Sequence, residues 1–524
     1  MCDKNLGPAI IERSEYIKLV LTEHLHKKST YTNLNEGDAI LQLNKIKADT
    51  GTLFVKHARD LTEADITYFR HFLLKIPTKM RLPQFYGMPK IHKNKQPLPF
   101  RPVISQCGSF IAFISKWLDC HLQPLVRHLP SYTKDSFDLL QTLDKLPQLP
   151  QEARIVTTDA TAMYTNIATD DGISVIKKYL NCYANELDLE DSIPIDMVCT
   201  LIEIVMTNNI FKFGNTWWLQ KNGTAMGTAC ACIYATLYFG YFERKLLLPK
   251  YKDNLILYKR MIDNIVIIWV PTSTQNNEWD SFIHNLNSCS SLSWETKKPS
   301  FRTHFLDLNI WINKKTRKIG YSTFQKEMNL FLYIPRHSAH PINTTKSLIY
   351  SLLKTYKRQN PHPQDFINIS RLFFKRLRAR GYAHKDLVTH FKYALSRLHH
   401  FPYNNLSPLN TPSQSLLPLK NNKQKQDPDN TLFFHLQYHP KGVSRRQIQH
   451  AYHTTCENRS TNTPTPDEEG FNNMLNTATS QRMMIDNLTV AYSRPKNLQD
   501  ILCPSTLKEY DNITVSSIST TLHK

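Results

Sequence analysis

Lys259 to Val270, KRMIDNIVIIWV, places a single carboxylate, Asp263, between two apolar runs, LILY before it and IVIIWV after it. Both flanks are β-branched and aromatic, so they read as two strands of a hairpin, with Asp263-Asn264 as residues that tolerate a tight turn. An acid on a buried hairpin turn is unfavourable unless something pairs with it. A divalent cation is one such partner, and it requires a second carboxylate from elsewhere in the chain. The same stretch also fits an ordinary Asp-Asn turn, so taken alone it leaves both readings open.

The second carboxylate is Asp159, delivered by the β-branched run IVTT in ARIVTTDATAMYTNI, with Tyr164 shortly after it. On neighbouring strand ends, Asp159 and Asp263 would bind two divalent ions. Asp159 also fits a helix N-cap, and Tyr164 a core aromatic. Between the acids lies LQKNGTAMGTACACIYATLYFGYFERK, where Gly223 and Gly227 bracket a turn that enters a helix rich in small residues. Such a turn passes backbone near a phosphate or base, or serves as a packing device. Upstream, FYGMPKIHK and PLPFRPVISQCGS are extended, proline-bounded segments whose cations Lys90, Lys93 and Arg101 could meet across a hairpin and grip a polyphosphate.

Charge narrows the partner. Lys plus Arg number 65 against 44 Asp plus Glu, a formal net charge of +21, the footprint of a protein that lies along phosphate backbones. Cations concentrate between Ile342 and His400, where Arg371, Lys375, Arg376, Arg378 and Arg380 alternate with Leu372, Phe373, Phe374 and Leu377. That pattern is an amphipathic helix with one basic side, either a nucleic-acid face or a solvated one. The ten cysteines are scattered, with only Cys230 and Cys232 close together, which favours a reducing, intracellular setting over a disulfide framework. The first residues lack an apolar signal core, and no run reaches membrane-spanning length.

The order of elements reads as α+β. Residues 1–80 form a helical accessory region, 81–335 a body of short strands and helices, and 336–401 a basic helical segment. Residues 402–430, rich in Pro, Asn, Ser and Gln, read as a linker, and 431–524 as a small α/β terminal module. In that module His435, His439, His450, His453 and Cys456 lack the firm spacing of a structural zinc site, so polar surface is the preferred reading. MMIDN recurs at Met483 to Asn487 but has one apolar flank and no partner acid, and is read as coincidence.

In this order FYGMPKIHK, FRPVIS, TTDATAMYTNI, QKNGTAMGT, RMIDN, HFLDLNIW and LYIPRHSAHP resemble the reverse transcriptase of Penelope-like retroelements across roughly residues 80 to 400. LTVAYSRPKNLQDILCPSTL resembles the segment that follows the polymerase in that family. The resemblance implies a right-hand polymerase of fingers (with palm, 81–335) and thumb (336–401), acting in the nucleus. It would extend a DNA primer on an RNA template with deoxynucleoside triphosphates. It implies Asp159 and Asp263 as ligands of two Mg2+ or Mn2+ ions, Tyr164 as the side chain that excludes a ribose 2′-hydroxyl, and Lys90 with Arg101 as a triphosphate clamp. The Gln220 to Gly227 turn would lie under the templating pair, and Lys297 or Lys298 would be a proton donor to pyrophosphate. Two departures are visible. The family's aromatic-x-Asp-Asp becomes Met261-Ile262-Asp263-Asn264, with an amide at the second acid position. No paired GIY and YIG strands follow, so the chain resembles members that lack the nuclease. Loss of the second acid also allows a rival reading, a nucleic-acid-binding protein that keeps the scaffold with weakened or no catalysis. RNA synthesis on an RNA template is disfavoured by an aromatic at position 164.

Overall fold

A computed structural model describes residues 3, 9–74, 81–93, 95–183, 194–272, 277–338, 340, 343–399, 431–437, 447 and 487–493. The linker 402–430, the four residues His439, His450, His453 and Cys456, and most of the terminal module lie outside the described residues.

The run IVIIW is explained by a sheet covered on both faces. Strands β4 (Arg154–Ala160), β7 (Leu255–Met261), β8 (Asn264–Trp269) and β9 (Trp294–Thr296) form an antiparallel sheet in the order β7-β8-β4-β9. Successive residues of β8 feed opposite cores. Ile265, Ile267 and Trp269 pack with the helices Phe110–Arg127, Thr169–Tyr183, Ile195–Thr207 and Ala231–Phe242. Val266 and Ile268 pack with a three-stranded sheet and the helix Ser136–Leu143. That second sheet is β10 (Arg302–Phe305), β11 (Leu308–Ile312) and β12 (Ile319–Thr323), all antiparallel. A strand enclosed in this way has no solvent face to alternate toward, so its sequence is continuously apolar.

A five-stranded sheet stands beside this body in the order β1-β6-β5-β2-β3. Its strands are β1 (Tyr31–Leu34), β2 (Gln84–Pro89), β3 (Phe100–Ser105), β5 (Asn209–Phe213) and β6 (Thr216–Gln220). The β5–β6 hairpin turns at Gly214, whose φ of 58° suits a residue without a Cβ. β1 falls inside the segment read from sequence as helical; it forms the sheet edge because Tyr31 packs edge-on against Phe85 and Phe211 in that core. Helices Asn343–Gln359, Pro363–Ala379 and His384–His399 form a separate bundle around Ile349, Leu353, Phe373, Leu377, Leu387 and Phe391. Strands β13 (Thr431–Gln437) and β14 (Asn487–Ser493) pair in parallel. Among the described residues no helix is long and apolar enough to cross a membrane.

Candidate active site

Register brings the two acids together. Asp159, near the end of β4, stands opposite Asn264, the first residue of β8, and the Ala160 amide donates to the Asp263 carbonyl at 2.8 Å. Two strand termini therefore present Asp159 and Asp263 at one edge of the sheet. The turn itself differs from the sequence expectation. Met261 pairs with Asn264, so the turn residues are Ile262-Asp263, and Asn264 belongs to the strand. Ile262 takes φ 56°, a left-handed conformation that strains a β-branched residue.

What holds Ile262 there is a buried polar cluster that the sequence reading passed over. Arg260 donates from Nη1 to the Ile262 carbonyl at 3.0 Å, from Nε to Glu243 Oε1 at 2.7 Å, and from Nη2 to Glu243 Oε2 and the Thr236 carbonyl, both at 2.8 Å. Tyr258 and Ser131 also donate to the Glu243 carboxylate. The available signals were a cation at a core-facing position of β7, in phase with Tyr258, and an acid ending the apolar helix Ala231–Phe242.

Asp159 lies on the solvent side of its strand end, yet the protein around it still desolvates the carboxyl and raises it above its ordinary value. The Asp263 carboxylate raises it further, and Glu295, opposite Asp159 on β9, adds to this; Lys297 and His304 act against them. A like charge nearby disfavours the ionised form of Asp159, and a bound cation would relieve that repulsion. Both offer hard oxygen donors, which suit Mg2+ or Mn2+. Asn264 Nδ2 donates to Asp263 Oδ1 at 2.8 Å, so the amide engages one oxygen of that carboxylate. Among the described residues no group of three or more His, Cys, Asp or Glu forms a metal cluster. A divalent ion at the acid pair would therefore complete its shell with phosphate and water, as Mg2+ commonly does.

The other predicted residues fall into three groups. Tyr164, on the short helix Met163–Asn166, has its phenol 3.1 Å from Cys232 Sγ. Burial, the adjacent thiol and then Asp263 push that phenol up, so it keeps its proton at neutral pH. The Thr224 amide donates to the Tyr164 carbonyl at 2.6 Å, and a Cβ on Gly223 (φ +77°) would meet the Thr165 Cα and Tyr164 carbonyl at 2.8 Å. At the far end of the same turn, Gly227 (φ +126°) lies where a Cβ would overlap the Ile104 carbonyl, and the Ile104 amide donates to Met226 O at 2.9 Å. The turn is thus clamped between Tyr164 and β3. Gln220, by contrast, is 1% exposed within β6, donating to the Asn222 carbonyl at 2.9 Å.

Lys90 follows β2 and Arg101 lies on β3, which pair as the expected hairpin. Burial and then the Arg101 charge lower the Lys90 ammonium from its ordinary value, and Asp3 opposes that shift. Asp3 Oδ2 sits 3.2 Å from Arg101 Nη2 with its side chain 8% exposed, so an acid occupies the cation pair. Lys297 Nζ is 3.2 Å from His304 Nε2, and its amide donates to the carbonyl of Thr157 in the middle of β4; Lys298 is exposed beyond it.

On the helical bundle, Arg371 and Lys375 are exposed. Arg376 donates to Gln325 Oε1 at 2.8 Å and lies 3.5 Å over the Phe331 ring, Arg378 donates to the Tyr382 carbonyl at 2.6 Å, and Arg380 to the Tyr333 carbonyl at 2.8 Å. Arg376 and Arg380 tie the bundle to the preceding loop, and Arg378 closes the turn that follows its own helix.

Residues 332–392, which include most of this bundle, match the family described as the animal helix-turn-helix domain. No curated protein matches the chain. Among solved structures the chain is similar to telomerase from Candida albicans in complex with a fragment of telomeric RNA, at 9% identity and TM-score 0.43, covering 73% of this chain and 64% of that one. Apo telomerase from Candida tropicalis gives 11% identity and TM-score 0.41, over 74% and 64% of the two chains. The RNA-dependent RNA polymerase of BmCPV gives 11% and 0.35, over 70% and 31%. The chain spans less than two thirds of the length of each of these proteins.

Proposed function

We propose that this chain is an RNA-directed DNA polymerase of the Penelope-like retroelement type, extending a DNA 3′ end on an RNA template in the nucleus. The observation that carries the reading is the meeting of Asp159 and Asp263 at one sheet edge, with Tyr164 and the Gly223 to Gly227 turn clamped beside them. In the reaction the primer 3′-oxygen bonds to the α-phosphorus of a deoxynucleoside triphosphate, the α–β phosphoanhydride breaks, and pyrophosphate leaves. Two Mg2+ or Mn2+ ions held by Asp159 and Asp263 would lower the pKa of the hydroxyl and neutralise the developing charge.

The chain's own residues do the rest. Lys90 and Arg101 grip the triphosphate once Asp3 is displaced. Tyr164 closes the space beside the sugar 2′ position. Lys297, backed by His304, donates a proton to the departing pyrophosphate. Gly223 and Gly227 let the turn lie flat under the templating pair, and Arg371 and Lys375 contact the phosphate backbone of the duplex. A second reading, a nucleic-acid-binding scaffold with weak or no catalysis, is favoured by one observation, the Asn264 amide on Asp263 Oδ1.

Primer extension on an RNA template with deoxynucleotides and Mg2+ or Mn2+ separates the two. Wild type is expected to extend, Asp263→Ala to lose extension by at least about 100-fold, and Asn264→Asp to work at lower Mg2+. Folded, RNA-binding wild type that extends nothing while Asn264→Asp does would establish the scaffold reading.

A further inference from the structure

The contact between Tyr164 and Cys232 has no part in the roles above. Tyr164 is fixed at its backbone, because the Thr224 amide holds its carbonyl and its helix starts from a left-handed Ala162 at φ 46°. The ring is then free only about its own side-chain torsions. Its tip reaches the first turn of the helix Ala231–Phe242, where Cys232 Sγ lies 3.1 Å from the phenol oxygen. Cys232 is exposed and Tyr164 is half-buried, so the contact lies at the protein surface, where the Asp263 charge also reaches the phenol. Thr236 Oγ1 donates to the Cys232 carbonyl at 2.7 Å, which steadies that first turn. A thiol is a weak hydrogen-bonding group, but here it is the polar partner of the phenol tip.

We infer that Cys232 is a positioning residue for Tyr164, its thiol latching the phenol against the Ala231–Phe242 helix and so setting how much room is left beside a nucleotide's 2′ carbon. The inference rests on the polymerase reading for its consequence, though not for the contact itself. Without the latch the ring can swing from the wall, and the space that excludes a 2′-hydroxyl opens intermittently. A purely structural Cys232 would change the use of both nucleotide types alike and leave their ratio unmoved.

The test uses the full chain in five forms: wild type, Cys232→Ala, Cys232→Ser, Tyr164→Phe, and the double variant Cys232→Ala with Tyr164→Phe. The readout is the ratio of kcat/KM for a deoxynucleotide to that for its ribonucleotide on a primed RNA template. Cys232→Ala and Tyr164→Phe should each lower the ratio about fivefold, as expected for one neutral hydrogen bond. The double variant should fall no further, and Cys232→Ser, which keeps a donor and acceptor, should stay within about twofold of wild type. A Cys232→Ala ratio within about twofold of wild type, or single effects that multiply in the double variant, overturns the latch. If wild type extends no primer with either nucleotide, the polymerase reading fails and thermal unfolding of the same variants decides the latch alone. Single losses of about 1–3 °C in Tm that do not add support the contact, and additive losses overturn it.

Discussion

Arg260 and Glu243 form an ion pair enclosed by protein, the two residues 1% and 0% exposed and Nε only 2.7 Å from Oε1. Its outward consequence is one further bond, from Arg260 to the carbonyl of Ile262, the strained residue that precedes Asp263. The pair thus links the interior to the turn that carries the acid. Arg260→Met alone should destabilise by about 3–5 kcal/mol, because it strands a buried carboxylate. Combining it with Glu243→Met should recover part of that loss, since the stranded charge is removed while the Tyr258 and Ser131 hydroxyls lose their acceptor. Primer extension should not recover with the stability, because the Ile262 carbonyl remains unanchored. Chemical denaturation and extension rates on the same samples check this, and recovered extension in the double variant would remove the anchoring role.

Asp159 gives a pH signature. Its folded carboxyl is raised, first by desolvation and then by Asp263. The folded state therefore binds a proton more tightly than the unfolded chain, and stability from this group is present at acid pH and lost as pH rises through the folded value. Asp159→Asn removes that loss. It should be more stable than wild type at pH 7, with the difference shrinking toward pH 3, and it should extend no primer. Adding Mn2+ should raise the Tm of wild type and leave that of Asp159→Asn nearly unchanged. Tm measured across pH, with and without Mn2+, tests both statements.

The Asp3 carboxylate sits on Arg101, where the proposed triphosphate would bind. An incoming nucleotide has to displace it. Asp3→Asn should lower the KM for deoxynucleotides severalfold and leave kcat near wild type, while Arg101→Ala should raise KM in either background. Steady-state extension kinetics with varied nucleotide provide the check, and an unchanged KM in Asp3→Asn would show that the two anions do not compete.

The five cations between Arg371 and Arg380 should separate by experiment. Arg371→Ala and Lys375→Ala, at exposed positions, should weaken binding to a primed RNA template and each reduce the slope of log affinity against log salt by about one. Arg376→Ala, Arg378→Ala and Arg380→Ala remove bonds to Gln325, Tyr382 and Tyr333 and should chiefly lower stability, by about 1–2 kcal/mol each. Filter binding across a salt series and thermal melts distinguish the two classes.

Periodicity and composition by themselves pointed to the strands flanking Asp159 and Asp263, the hairpin of the Lys90 and Arg101 segments, and the basic helical segment after Ile342. Those features are local: a β-branched run, a glycine turn or an amphipathic period has the same meaning wherever the chain goes. Tertiary structure decided what no local pattern encodes. Strand register put the turn at Ile262-Asp263 and moved Asn264 into β8. Packing of one helix end against a strand brought Glu243 to Arg260, and packing of another brought Cys232 to Tyr164. It also engaged three of the five cations between Arg371 and Arg380 in internal bonds, and enclosed Gln220 in a sheet that sequence could not assemble. The physical reason is the same in each case. Partners far apart in the chain meet only after the apolar faces have been buried, and the polar groups carried inward must then find one another or remain unsatisfied.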